Sequence, residues 1–153
     1  MWVPPEDKDP VLRMAPTRKS VALFGAVHLR DGRLVTQMEK TFNAITFQEF
    51  LARLLGHRQR GRKTVVILDN AKYHHAKVLR PFLESHRDQL ALEFLPSYSP
   101  ELNPIERVWK LTRRLCTHNT YFETLDHLIE VVTRQLSFWV TPNETLRRLC
   151  CVS

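Results

Sequence analysis

The alternation of apolar and polar positions along the chain predicts several strands. Residues 64–68 form an unbroken, largely β-branched run, which is typical of a strand buried on both faces of a parallel or mixed sheet. Residues 20–29 and 34–42 are two further strand-like runs, and the Asp-Gly pair between them indicates a hairpin with a type I′ turn at residues 30–33. A short strand is predicted at residues 91–95.

Helical periodicity fills the segments between these strands. Apolar positions spaced three and four residues apart predict amphipathic helices, and polar residues with capping potential mark where they begin. The predicted starts are the Thr46-x-x-Glu49 capping box, the segment around Pro81, the Asn103-Pro104 pair, and the capping boxes Thr120-x-x-Glu123 and Thr141-x-x-Glu144. This order of elements predicts an α/β fold. Residues 1–19 contain several prolines and no periodicity, so they are expected to be irregular.

Length and composition fit one basic domain, expected to span residues 1–153. The chain has 23 Lys and Arg against 16 Asp and Glu, a net charge of +7, which favours a polyanionic partner, although a basic protein need not bind nucleic acid. Its cysteines, Cys116, Cys150 and Cys151, form neither a metal-binding pair nor a disulfide framework, so reduced thiols and a cytoplasmic location are expected. No apolar run approaches the roughly 20 residues of a membrane span, so no membrane partner is expected.

Two carboxylates stand out because of where the pattern places them. Asp69 directly follows the strand at residues 64–68, and open α/β sheets bind ligands at such carboxyl ends. Glu106 falls in the first turn of the helix that Asn103 and Pro104 begin. Each acid also has a structural interpretation: Asp69 in an Asx turn, and Glu106 in a capping box with Asn103. If the fold brings the two together, they can share a divalent metal ion.

Longer motifs surround both acids. Residues 67–74 read ILDNAKYH, and residues 95–110 read LPSYSPELNPIERVWK. These motifs resemble the catalytic core of the mariner-like bacterial insertion-sequence transposases, which are DDE superfamily endonucleases. In that family the Asp of the first motif is the second catalytic acid and the Glu of the second motif is the third. The resemblance gives these roles to Asp69 and Glu106, which are 37 positions apart, and it extends more loosely over nearly the whole chain.

The resemblance implies a ribonuclease-H-like fold, a mixed sheet flanked by helices, in which this chain lacks the first, central strand. In the family that strand carries the first catalytic Asp. Asp7, Asp9 and Asp31 are available acids, but none ends an apolar strand-like run, so none is assigned this role. The missing strand would also leave two inner sheet edges with unpaired backbone groups.

The reaction implied by the resemblance is DNA strand cleavage and strand transfer in transposition. Asp69 and Glu106 would be the catalytic and metal-binding residues, and the cofactor would be Mg²⁺ or Mn²⁺, as two ions. The implied partners are transposon ends and target DNA, together with further copies of the chain in a homo-oligomer. The implied location is the cytoplasm, in association with the nucleoid.

Candidate DNA contacts surround the two acids. The basic residues of the Glu106 helix fall outside its apolar face, where they are either solvated surface or phosphate ligands. His74 belongs to the first motif, and the resemblance makes it a contact to DNA or to a site residue. The full set of expected DNA-binding residues is Lys72, His74, Asn103, Arg107, Lys110, Arg113 and Arg114.

Three functional hypotheses stay open at this point. An active transposase catalytic domain would need a third acid from an upstream transposase fragment or a second polypeptide. A truncated, catalytically inactive remnant would bind DNA or a full-length transposase. A related nuclease with a resolvase-like role is disfavoured by the long second motif. A strand-end Asp encoded upstream of Met1 would discriminate the first hypothesis from the second.

Overall fold

A computed structural model describes residues 11–14 and 19–151. Three strands form an antiparallel sheet in the order β1-β2-β3, with β1 at Val11–Met14, β2 at Lys19–Val27 and β3 at Leu34–Glu39. β1 pairs with the first residues of β2, and β3 pairs with β2 from Ala22 to Val27. The predicted hairpin is therefore confirmed, although β3 ends earlier than expected.

A second sheet contains only two strands. β4 (Thr64–Leu68) and β5 (Leu90–Phe94) run parallel, with Thr64 beside Leu90 and Leu68 beside Phe94. Both strands match the runs predicted from the sequence to within a residue. Since parallel strands need a crossover connection, the chain between them forms two 3₁₀ turns, Lys72–His75 and Lys77–Leu79, and a short helix.

Five helices complete the described part of the chain: α1 at Ala44–Gly56, α2 at Arg80–Ser85, α3 at Pro104–Cys116, α4 at Leu125–Ser137 and α5 at Glu144–Leu149. A 3₁₀ turn at Pro100–Leu102 precedes α3. Helix α1 packs on one face of the three-stranded sheet, and α3, backed by α4 and α5, packs on the other. The architecture is an α/β fold with a mixed set of strands between helices.

Three of the predicted helix starts were wrong. Asn43 caps α1 through the backbone N–H of Thr46, so Thr46 is the third helical residue instead of the cap. Thr124 caps α4, replacing the predicted Thr120, and Asn143 caps α5, replacing Thr141. In each case another residue with a short oxygen-bearing side chain lies close to the predicted one and caps equally well, so the capping pattern alone could not choose between them.

The turn between β2 and β3 is also different from the prediction. A type I′ turn needs positive φ at both central residues, but of the Asp-Gly pair only Gly32 has it, at 79°. The turn is longer: His28 N–H donates to Arg33 O at 2.8 Å, and Asp31 Oδ1 accepts from Arg33 N–H at 3.0 Å. A Cβ on Gly32 would overlap the carbonyl of Asn143, so the approach of the α5 cap also requires glycine here.

The N-terminal prediction needs one correction as well. Residues 1–19 were expected to be irregular, yet Val11–Met14 forms β1 and Lys19 begins β2. The alternation that would indicate a four-residue edge strand is too short to read beside neighbouring prolines. The rest of that segment lies outside the described residues.

The hydrophobic core fills the spaces between the strands and both helical layers. On one face of β2, Phe24 stacks on Phe50 of α1 with ring centroids 5.4 Å apart. On the other face, Trp109 of α3 lies over Gly25. Leu68, the last residue of β4, is 1% exposed and belongs to the same core.

The two sheets do not pair with each other, and a cavity of about 440 Å³ separates β2 from β4. Within the described residues, β2 beyond Ala22 has a neighbour on one edge only, and so has β4. Val65 and Ile67 of β4 are 55% and 42% exposed, which is unusual for a strand of this composition. The expected mixed α/β fold is confirmed, and among the described residues no strand lies between β2 and β4. We call this cavity the inter-sheet groove.

Candidate active site

Asp69 lies immediately after β4, and its two carboxylate oxygens are in different situations. Oδ1 accepts a hydrogen bond from the backbone N–H of Ala71 at 3.1 Å and lies 3.1 Å from His74 Nδ1. Oδ2 is buried and makes no hydrogen bond with any described residue. The Asx-turn interpretation is therefore correct for Oδ1, while Oδ2 has no hydrogen-bond partner among the described residues.

His74 is turned inward by the 3₁₀ turn Lys72–His75. Its side chain is fully shielded from solvent, and Nδ1 also lies 3.0 Å from the backbone carbonyl of Asp69. The ring packs between Phe47 and Tyr73, with ring centroids 4.5 and 4.4 Å away. A direct DNA contact, one of the two roles expected for His74, does not suit this buried position, whereas a contact to a site residue does.

Glu106 lies in the first turn of α3 and is half-buried. The capping-box interpretation required Asn103 to cap the helix with its side chain, which it does not do. The backbone N–H of Asn103 donates to Pro100 O at 3.0 Å. Pro104 at the first helical position fixes the start of α3 without a side-chain cap.

A hydrogen bond joins the segment that carries Asp69 to the loop that leads from β5 to α3. Asn70, which follows Asp69, donates from Nδ2 to the carbonyl of Leu95 at 2.5 Å, and thus ties the end of β4 to the start of that loop. Leu68 and Ile105, the residues preceding Asp69 and Glu106, both line the inter-sheet groove. The residue before each acid therefore faces the same cavity.

Asn70 and His75 contribute to this arrangement although sequence reasoning assigned them no role. Asn70 Oδ1 lies 3.0 Å from His75 Nε2, and the His75 ring stacks on Phe94 of β5 at 4.1 Å. The sequence did contain a signal for the role of Asn70, since it follows an Asp at the end of a strand. Asn side chains often form hydrogen bonds with nearby backbone groups at such positions.

The donor set fits a divalent cation only in part. Carboxylate oxygens are ligands of choice for Mg²⁺, and the buried, unsatisfied Oδ2 of Asp69 is the kind of atom that an ion would satisfy. Within residues 11–14 and 19–151, however, no three His, Cys, Asp or Glu side chains cluster as a metal site. Asp31 is engaged in the β2–β3 turn, 2.9 Å from Arg33 Nε, and Asp7 and Asp9 lie outside the described residues.

The expected DNA-binding residues fall into two groups. Lys72, Lys110 and Arg114 are exposed and Arg113 is half-buried, whereas Asn103 is 3% exposed. Arg107 donates through one guanidinium nitrogen to the carbonyls of Leu149 and Cys151, at 3.1 and 3.3 Å, and so satisfies the carboxyl end of α5. Position on the outer face of α3 therefore does not by itself make a residue available to a phosphate.

Helix α5 also contacts the start of α3 through Cys150. Its thiol donates to Pro104 O at 3.6 Å, and burial raises the pKa of that thiol to about 11. The carboxyl end of the described chain thus supports the turn that carries Glu106. None of the helices in the described residues is long and apolar enough to cross a membrane.

The described chain is an α/β domain with one candidate acid directly after a strand and a second in the first turn of a later helix, the arrangement expected of a metal-dependent nuclease domain. The sequence agrees. The family described as "DDE superfamily endonuclease" matches residues 1–129, so the chain belongs to the DDE superfamily endonucleases.

Two relatives are similar in sequence. The "Uncharacterized protein y4pE/y4sA" of Sinorhizobium fredii (strain NBRC 101917 / NGR234) is 33% identical over 117 residues, which cover 76% of this chain and 81% of that protein. The "Insertion element IS630 uncharacterized 39 kDa protein" of Shigella sonnei is 24% identical over 110 residues, 72% of this chain. That match spans only 32% of the Shigella protein.

Two solved structures share the fold. The catalytic domain of Mos1 mariner transposase superposes with a TM-score of 0.70 at 19% identity, covering 94% of this chain and 72% of that one. The Mos1 Strand Transfer Complex gives a TM-score of 0.68 at 21% identity, covering 98% of this chain and 44% of that one. Both likenesses support the ribonuclease-H-like architecture of the described residues.

Proposed function

We propose that this chain provides two of the carboxylates of a metal-dependent site for DNA strand cleavage and strand transfer, with Asp69 and Glu106 as its catalytic and metal-binding residues. The observation that carries the proposal is the buried Oδ2 of Asp69, which makes no hydrogen bond while Oδ1 makes two contacts. A carboxylate arranged in this way costs folding free energy unless a ligand satisfies it.

The ions proposed are two Mg²⁺ or Mn²⁺, which when bound would supply charge stabilisation for the attacking and leaving oxygens of a phosphodiester. The chain's own contribution is to fix its ligands. Ala71 and His74 restrain one oxygen of Asp69, and Pro104 begins a helix in which the backbone of Glu106 is rigid.

DNA, as transposon ends and as target, is the proposed substrate. Support comes from the net charge of +7 and from exposed cations on α3 and on the 3₁₀ turn after Asp69. Lys110 and Arg114 lie one and two turns beyond Glu106, where phosphates flanking a cleaved bond would pass. Action as a homo-oligomer is proposed because joining two element ends to one target requires more than one active site.

A third carboxylate is proposed to come from an upstream transposase fragment that occupies the inter-sheet groove. β2 and β4 both line the groove, and within the described residues each has an edge without a strand neighbour there, which an extended segment could pair with. Its apolar side chains would cover Val65 and Ile67. The end of the groove remote from Asp69 is lined by the cations Arg30, Arg33, Arg58, Arg62 and Lys63. A segment with acidic residues at that end would complement this charge.

The metal site is tested by titrating Mn²⁺ into the wild-type chain and into Asp69→Asn and Glu106→Gln, with binding followed calorimetrically. Each variant is expected to bind at least ~10-fold more weakly, because each removes a charged ligand. Glu130→Gln, a change on α4, is the control and should bind as the wild type does. Isotherms that coincide for wild type and Asp69→Asn would refute the shared site.

The upstream fragment is tested by adding a peptide encoded before Met1, or a scrambled version of it, to the purified chain with Mn²⁺ and DNA carrying the element's ends. The chain alone is expected not to cut, and the authentic peptide should raise the unfolding temperature and allow cleavage. Cleavage by the lone chain that is lost in Glu106→Gln would overturn this proposal and would mean that Asp7, Asp9 or Asp31 serves as the first acid.

An inactive remnant that binds DNA or a full-length transposase is the second candidate. It is favoured by one observation, the lack of a three-ligand cluster within the described residues. The peptide experiment separates the two, since a remnant would bind DNA with and without the peptide and cut in neither case.

A further inference from the structure

We infer that His74 is a positioning residue for Asp69: it holds Oδ1 of the carboxylate and thereby keeps Oδ2 directed away from protein donors and available to an ion. The inference rests on the proposed metal site and adds to it a residue that makes no contact with the ion. It replaces the interpretation of His74 as a DNA contact.

The hydrogen-bonding pattern fixes the proton on the imidazole. Nδ1 lies 3.0 Å from the carbonyl oxygen of Asp69 and 3.1 Å from its Oδ1, and both atoms are acceptors. The lone pair of an unprotonated Nδ1 would be repelled by those of the two oxygens. Nδ1 therefore carries the hydrogen and donates it. The same ring therefore contacts the backbone and the carboxylate of one residue, which restrains the rotation of the Asp69 side chain.

The surroundings of the ring make this restraint effective. The side chain of His74 is fully buried, so water does not compete for the donor. Phe47 and Tyr73 pack on it at centroid distances of 4.5 and 4.4 Å, and prevent the ring from turning away. Nε2 is buried and makes no hydrogen bond with a described residue, so within the described part of the chain Nδ1 is the ring atom that engages polar partners.

A plainer explanation is that His74 merely fills space in an aromatic cluster. The two explanations predict opposite orders for matched variants. His74→Asn places an amide N–H₂ near the position of Nδ1 but leaves a void, whereas His74→Gln fills more volume and carries its amide near the position of Nε2. His74→Phe keeps the aromatic packing and removes the donor altogether.

The experiment measures Mn²⁺ affinity and thermal unfolding for the wild type, the three variants and Asp69→Asn. Positioning predicts that His74→Asn binds Mn²⁺ within ~3-fold of the wild type, even with a lower unfolding temperature. His74→Gln and His74→Phe should bind about 10–100-fold more weakly, the usual effect of removing an outer-shell partner. The ranking of the variants by Mn²⁺ affinity would then differ from their ranking by unfolding temperature.

Affinities that follow the unfolding temperatures, with His74→Phe binding as tightly as the wild type, would overturn the inference. If His74→Phe does not fold, the Asn and Gln pair decides, since equal affinities or a tighter His74→Gln would be equally fatal. Failure of the metal site itself has a different signature: wild type and Asp69→Asn would then bind alike. If Asp69→Asn binds Mn²⁺ more weakly than the wild type while His74→Gln and His74→Phe bind it equally well, only the role of His74 is contradicted.

Discussion

Gly25 of β2 lies directly against the indole of Trp109 in α3. A Cβ placed on Gly25 would overlap Cζ2 of that ring and lie 2.5 Å from Cη2. The helix that carries Glu106 therefore approaches the sheet as closely as a backbone permits, and the absence of a side chain at position 25 sets the distance of the site from β2.

Gly25→Ala is expected to lower the free energy of unfolding by about 1–3 kcal/mol, because the new methyl group overpacks the contact with Trp109. Urea unfolding followed by circular dichroism measures the change. Gly56→Ala is the matched control, since its Cβ meets nothing within 4 Å at the end of α1, and it should be neutral or slightly stabilising. Equal effects of the two substitutions would contradict the close approach.

Tyr98→Asn is expected to raise the free energy of unfolding by about 0.5–1 kcal/mol. Tyr98 is fully exposed and has φ of 58°, so its side chain gains nothing from packing while its backbone is strained. Asn tolerates this conformation better than Tyr. Tyr121→Asn, at an exposed position outside the positive-φ set, should change stability by less than about 0.5 kcal/mol. A destabilised Tyr98→Asn would argue that the loop needs the phenol ring.

Replacing Lys110 and Arg114 together with Ala is expected to flatten the dependence of log DNA affinity on log salt, by up to about 0.9 for each phosphate that is no longer neutralised. Arg107→Ala should leave that slope unchanged and lower stability by roughly 1 kcal/mol, because its guanidinium donates to the carbonyls of Leu149 and Cys151. Fluorescence anisotropy at several salt concentrations distinguishes the two. An unchanged slope in the double variant would show that this face is only solvated surface.

The Cys150 thiol should make the fold sensitive to alkali. Burial raises its pKa to about 11 in the folded chain, above the usual value of 9.0. A raised folded-state pKa stabilises the fold fully below the unfolded pKa, and this contribution diminishes as pH rises from about 9 through 11. Between about pH 8 and about pH 10.5 the wild type should lose about 2 kcal/mol more stability than Cys150→Ala.

Denaturant unfolding at both pH values measures that difference. Other groups titrate in the same range, so the quantity of interest is the contrast between variants and not the absolute change. Cys151→Ala, at an exposed position, should keep the full wild-type pH dependence. Parallel curves for the wild type and Cys150→Ala would mean that the thiol is not buried as described.

The site could be predicted from the sequence where local pattern and motif agree. β4 is an apolar run that ends in Asp69, and Pro104 marks the start of the helix that carries Glu106, so their places in the fold follow from strand and helix signals. Helix boundaries were predicted less well, because Asn43 competes with Thr46 for the cap and both suit it. Such choices depend on tertiary packing that no local signal reports.

The direction in which a side chain points was harder to predict from the sequence than the element that carries it. His74 and Arg107 were both expected among the DNA-binding residues, yet His74 is buried beside Asp69 and Arg107 donates to the carbonyls at the end of α5. His74 is turned inward by a 3₁₀ turn, and the carbonyl that Arg107 reaches on Leu149 is 42 residues away in sequence. No periodicity within either segment carries that information.

Because the strands form two separate sheets, the two acids lie on different parts of the fold. Asp69 directly follows β4 of the two-stranded sheet, whereas Glu106 belongs to α3, which packs on β2. If the proposed cations bridge Asp69 and Glu106, they would link the two sheets, which share no ladder hydrogen bonds within the described residues. Metal binding would then restrain the two sheets relative to each other.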